Sequence, residues 1–106
     1  MQQITTLELS QRLKSGETPP LLLDVREPHE FAYCRINGSV NMPMNQVFSG
    51  FAQLDPNRET VVICHHGMRS AQIVNFLINH GFEKVANLTG GVASWAKDVD
   101  PTMPTY

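Results

Sequence analysis

The chain has 106 residues and a mass of 11.9 kDa; it is 42% hydrophobic and 17% charged, with a net charge of −2. That size predicts one domain over residues 1–106, with a core that needs no cross-links. The apolar content excludes intrinsic disorder, and eight Lys+Arg against ten Asp+Glu leave no basic face for a nucleic acid.

No apolar run is long enough to span a bilayer, so no membrane partner is expected. Met1 to Thr5 shows neither the basic start nor the apolar stretch of a signal peptide, which predicts a cytoplasmic chain. Thr5-Thr6-Leu7-Glu8 reads as a capping box that opens a helix running to about Lys14. Ser15 to Pro20 breaks it, and the apolar run Leu21 to Val25 suits a strand buried on both faces. Pro28 starts a brief helix to Tyr33, within which Glu30 stands four residues after Arg26 and is expected to pair with it. Asn37-Gly38-Ser39 is a turn, Val40 to Met42 a second apolar stretch, and Pro43 to Leu54 a further helix stopped by Asp55-Pro56-Asn57.

Thr60 to Cys64 is a β-branched run read as another buried strand. The helix after it has the widest apolar face in the chain, built on Ala71, Val74, Leu77 and Ile78, with Ile73 and Phe76 flanking and Gly81 as its cap. Val85 to Leu88 is a strand, Gly90-Gly91 a sharp turn, and Val92 to Asp98 the last helix; two prolines forbid regular structure in the tail from Val99 to Tyr106. Alternating strands and helices predict an α/β fold, a central parallel sheet with helices on both faces.

In such sheets ligands bind beyond the carboxyl ends of the strands, and Cys64 lies there, followed by a short loop and a helix start. Taken alone, a cysteine closing a β-branched run is a small buried hydrophobe. Here the helix offers unpaired N–H groups and its positive dipole end, Gly67 allows a tight loop backbone, and Arg69 adds a cation. Cysteines held in such settings ionise at roughly 3.5–7.5 instead of ~8.5, which predicts a nucleophilic thiolate. Ser70 is placed to cap the helix. Cysteine-dependent phosphatases have one residue more between cysteine and arginine than the four here, so this smaller cradle suits a single added sulfur better than a phosphoryl group.

Three motifs, in this order, resemble those of single-domain rhodaneses: Leu23 to Phe31 followed by Ile36 to Ser39, then Cys64 to Ser70, then Gly90 to Trp95. The resemblance spans essentially the whole chain and implies the rhodanese fold, with a five-stranded parallel sheet, and sulfurtransferase activity. It implies that Cys64 forms a persulfide, that His65, His66, Gly67, Met68 and Arg69 bind the anionic donor, and that Asp24 and Arg26 support the loop. Cys34-Arg35, where Gly-His is common in the family, and Asn37, where Pro is usual, are departures outside that loop. The tail resembles the end of rhodanese domains fused to enzymes that activate ubiquitin-like sulfur carriers.

The implied reaction moves a sulfane sulfur from thiosulfate or a similar donor to a small thiol or protein thiol. The alternative is a sulfur-carrier module loaded by a protein donor with little turnover of free thiosulfate. No cofactor enters either scheme. His65 and His66 are adjacent on a tight loop and do not make a metal site, for which three or four converging ligands are needed. His29 and His80 are expected at the surface, Cys34 and Trp95 in the core, and Met42, Met44 and Met68 as an apolar rim for an acceptor.

Overall fold

Residues Met1–Tyr106 are described by a computed structural model. Five strands, β1 (Gln2–Ile4), β2 (Leu21–Asp24), β3 (Val40–Asn41), β4 (Thr60–Ile63) and β5 (Val85–Leu88), form one sheet in the order β1-β5-β4-β2-β3. Every pairing is parallel; Leu23 stands beside Val62, and Val62 beside Asn87. The α/β reading therefore holds, as does the family's five-stranded sheet. β1 has no counterpart in the element-by-element reading, because a three-residue Gln-Gln-Ile strand at the sheet edge carries no apolar run.

Alternation along each strand divides the core between the two sheet faces. Leu22, Val61, Ile63 and Leu88 point to one side and pack with Leu9 of α1 (Thr6–Lys14) and with Val92, Trp95 and Ala96 of α5 (Gly91–Asp98). Leu23, Val62, Cys64 and Val85 point to the other and meet Val47 of α3 (Met44–Gly50) and Ile73, Val74 and Leu77 of α4 (Met68–Ile78). The capping box is present: Thr5 Oγ1 accepts from Glu8 N–H at 3.1 Å, and Thr5 N–H donates to the Glu8 carboxylate at 2.9 Å.

The helix expected over 43–54 is shorter than its sequence span. α3 ends at Gly50, and Phe51–Gln53 follows as a 3-10 turn. A short helix, α2 (Pro28–Tyr33), leads from the β2 side of the sheet toward Cys34. No helix is long and apolar enough to cross a membrane. Residues 99–106 contain no helix or strand, yet Met103 is buried against the α5 face and anchors this segment to the body of the fold.

Candidate active site

Cys64 is the residue just after β4, and α4 begins four positions later. Gly67 sits between them at φ +100°, a left-handed conformation that glycine adopts without steric cost. The Cβ of any other residue there would press on the backbone N of Gly90 at 3.2 Å. The resulting bend points the Gly67 N–H at Cys64 Sγ, 3.0 Å away. The N–H groups of His65, His66, Met68, Arg69 and Ser70 have no acceptor within the chain. Five further donors are thus left at the positive end of the α4 dipole.

The carbonyls of the loop are turned the other way. Val92 N–H donates to Cys64 O at 3.0 Å and Ala93 N–H to His65 O at 3.1 Å, so the first turn of α5 grips the back of the loop. Gly91 makes that grip possible, because a Cβ at this position would overlap the Cys64 and His65 carbonyls. The Gly90-Gly91 turn therefore serves to dock one helix start against the backbone that leads into another.

Cys64 keeps only 1% of its surface exposed and lies at the floor of the loop. Beneath it, Ser70 Oγ is 3.2 Å from the sulfur and donates to Asn87 Oδ1 of β5. Asn87 Nδ2 in turn donates to Gly67 O and to Gln3 Oε1, both at 3.1 Å. Ser70 accordingly does not cap α4, whose start has no side-chain cap; buried on the inner face of the first turn, it reaches Cys64 and Asn87 instead. Asn87 and Gln3 escaped the sequence reading because they belong to strands distant from the loop in the chain.

Asp24 and Arg26 are both fully buried. Arg26 Nη2 donates to Asp24 Oδ2 at 2.7 Å, and Nε shares both carboxylate oxygens at 3.0 and 3.1 Å. Its remaining hydrogens reach Cys34 O at 2.6 Å, Glu30 O at 3.3 Å and the Tyr106 hydroxyl at 2.9 Å. Burial works against the Arg26 charge, but the Asp24 carboxylate and Tyr106 more than offset it and keep the guanidinium protonated. The predicted pairing of Glu30 with Arg26 is corrected: Arg26 precedes α2, so helical four-residue spacing does not bring the two side chains together.

Glu30 takes Arg69 instead. Arg69 Nη1 and Nη2 donate to the two Glu30 oxygens at 2.7 and 2.9 Å, and the Tyr106 hydroxyl donates to Glu30 Oε2 at 2.8 Å. Arg69, with the backbone at Glu27 and the Tyr106 hydroxyl, lowers the Glu30 pKa to about 2. Tyr106 also lies parallel to the His65 ring, with centroids 3.9 Å apart, and Tyr33 meets it edge-on at 5.8 Å. Desolvation, then the neighbouring His66, lowers the His65 pKa and favours its neutral form. His65 and His66 stack on each other at 3.9 Å, and no group of three His, Cys, Asp or Glu side chains converges anywhere in the fold.

His29 and His80 are exposed, and Trp95 is buried. Cys34 is buried in the core as expected, on the α5 face of the sheet and opposite to Cys64. Of the three methionines expected as a rim, Met68 is 78% exposed, whereas Met42 and Met44 pack partly into the core. The largest cavity, about 650 Å³, lies elsewhere, among Pro19, Leu22, Val40, Arg58 and Trp95.

The Rhodanese-like domain family matches residues 5–98, a span that holds the loop, the Asp24–Arg26 pair and α5. The chain belongs to the rhodanese-like domain family. A sulfurtransferase of Allochromatium vinosum is 35% identical over 95 residues, covering 90% of this rhodanese-like domain and 88% of that protein. The chloroplastic rhodanese-like/PpiC domain-containing protein 12 of Arabidopsis thaliana is 40% identical over 90 residues, with 80% of this chain and 30% of that protein covered. The probable adenylyltransferase/sulfurtransferase MoeZ of Mycobacterium tuberculosis is 36% identical, with 97% and 26% covered, so this domain spans about a quarter to a third of those two relatives. Among solved structures, the rhodanese-like domain from an Anabaena protein superimposes with a TM-score of 0.86 at 30% identity, covering 100% of this chain and 80% of that one. A Staphylococcus aureus rhodanese-like domain gives 0.85 at 28% identity, with 100% and 99% covered.

Proposed function

We propose that residues 1–106 form one sulfurtransferase domain that carries sulfane sulfur as a persulfide on Cys64. The observation that supports this most is the loop itself: an N–H 3.0 Å from a cysteine sulfur, amid further unpaired N–H groups at a helix start. Such preorganised donors stabilise negative charge on sulfur with no reorganisation at the moment of transfer. The Cys64 thiolate attacks the outer sulfur of thiosulfate or a similar donor, and the S–S bond electrons leave on sulfite or on a thiolate. His65 to Arg69 surround the added sulfur; Asp24, Arg26 and Ser70 hold the loop from below.

A small thiol or protein thiol then attacks the outer persulfide sulfur and restores Cys64, a covalent cycle in two half-reactions. A reducing compartment such as the cytoplasm suits two free cysteines. The alternative, a carrier module loaded by a protein donor, draws support from the adenylyltransferase/sulfurtransferase relatives, in which this domain matches only a fraction of the chain. The test is intact mass spectrometry after exposure to thiosulfate or to a persulfide. The expected result is one added sulfur that cyanide removes and that Cys64→Ser does not acquire; a Cys64→Ser variant that still gains the sulfur would overturn the assignment.

A further inference from the structure

The cation nearest the loop is not free. Arg69 gives a hydrogen from each terminal nitrogen to Glu30, and Glu30 is fixed from its other side by the Tyr106 hydroxyl. The next guanidinium, Arg26, is buried and committed to Asp24. The fixed charges around Cys64 are therefore two guanidiniums matched by two carboxylates, and any thiolate on Cys64 makes the site net negative. Glu30 holds one hydrogen of each Arg69 terminal nitrogen and offsets its charge, so attraction for an anion falls mainly to the backbone N–H dipoles, which suit one sulfur atom better than a dianion. The Glu30 carboxylate also borders an open cavity of about 360 Å³ lined by His29, Tyr33 and Tyr106, so its charge faces solvent on the side away from Arg69.

We infer that Glu30 is a specificity-determining residue that disfavours dianionic donors and selects persulfides, whose reacting end carries no charge when protonated. This inference rests on the reading that Cys64 is the sulfur-accepting thiolate. For thiosulfate the step is Cys64–S⁻ plus ⁻S–SO3⁻ giving Cys64–S–S⁻ and SO3²⁻, with three negative charges gathered at the loop throughout. For a persulfide it is Cys64–S⁻ plus HS–S–R giving Cys64–S–SH and RS⁻, with one. In each, one S–S bond breaks, one forms, and the leaving sulfur keeps the electron pair. The like-charge penalty falls on the first donor alone, a repulsive element that discriminates without any contact to the favoured substrate.

The test compares thiosulfate with 2-hydroxyethyl persulfide, whose carbon group carries no charge, as donors, with cyanide as acceptor, in the wild-type domain and in Glu30→Gln. The wild type is expected to show a kcat/KM for the persulfide at least about tenfold above that for thiosulfate. Glu30→Gln, which still accepts from Tyr106, is expected to lower the thiosulfate KM by about tenfold, the effect of one partly screened charge, and to move the persulfide KM by less than about threefold. A thiosulfate KM that rises in Glu30→Gln would show that Glu30 positions Arg69 for the anion, and an unchanged KM would show no role; either overturns the inference. Should Glu30→Gln not fold, a wild type that prefers thiosulfate overturns it equally. If neither donor adds a sulfur to wild-type Cys64, the proposed function fails instead, which separates the two failures.

Discussion

Two arginine–carboxylate pairs flank the loop, and they differ in almost everything but their chemistry. Arg26–Asp24 is wholly dry, with both side chains at 0% exposure, whereas Arg69 and Glu30 keep 35% and 11%. The first pair spends its remaining hydrogens on the Cys34 and Glu30 carbonyls and on Tyr106, tying β2 to the segment after α2. The second joins α2 to the first turn of α4 across a surface that water and ligands can reach. Identical ionic groups thus become a structural pin in one place and an adjustable local charge in the other. Solvent access makes the difference, since a buried ion stripped of its partner has no water to replace it.

Removing one partner of each pair sharpens this contrast. Asp24→Ala leaves a buried, unpaired guanidinium and is expected to cost about 3–5 kcal/mol, read as a large fall in Tm in a thermal melt. A change under about 1 kcal/mol would show that Arg26 finds other partners and would erase the distinction. Tyr106→Phe keeps the ring against His65 but leaves Arg26 and Glu30 one hydrogen bond short each. The expected loss is about 1 kcal/mol in denaturant unfolding.

The smallest effect belongs to the half-buried pair and is visible in its pH dependence. Folding depresses the Glu30 pKa from an ordinary 4.5 to about 2, so its contribution is complete above pH 4.5 and is lost as the pH falls toward about 2. The stability gap between wild type and Glu30→Gln should therefore be about 1 kcal/mol or less at neutral pH and should close across that acid window. A gap that persists at pH 2 would mean that Glu30 acts through packing and not through charge.

Sequence alone reached far into this site where the determinants are local. A β-branched run ending in Cys64, a glycine three residues on and a helix immediately after fix a bend with open N–H groups, because strand, turn and helix start each have short-range signatures. The capping box at Thr5 and the turn at Gly90-Gly91 were legible for the same reason. β1 was not, since three edge residues gain their structure only by pairing with β5. Nor was the Ser70–Asn87–Gln3 chain, or the clamp of α5 on the loop carbonyls.

The sequence by itself determined the alternation of helices and strands after β1, the loop around Cys64 and the presence of the residues proposed to serve it. Tertiary structure alone decided how their charges pair: Glu30 lies 39 positions from Arg69 and 76 from Tyr106, distances along the chain that no helical spacing relates. It also decided that Cys64 sits at the floor of its loop and that Cys34 faces away across the sheet. The physical reason is range. Backbone propensity and capping act within a few residues, whereas burial and ion pairing depend on which surfaces the sheet and its helices bring together.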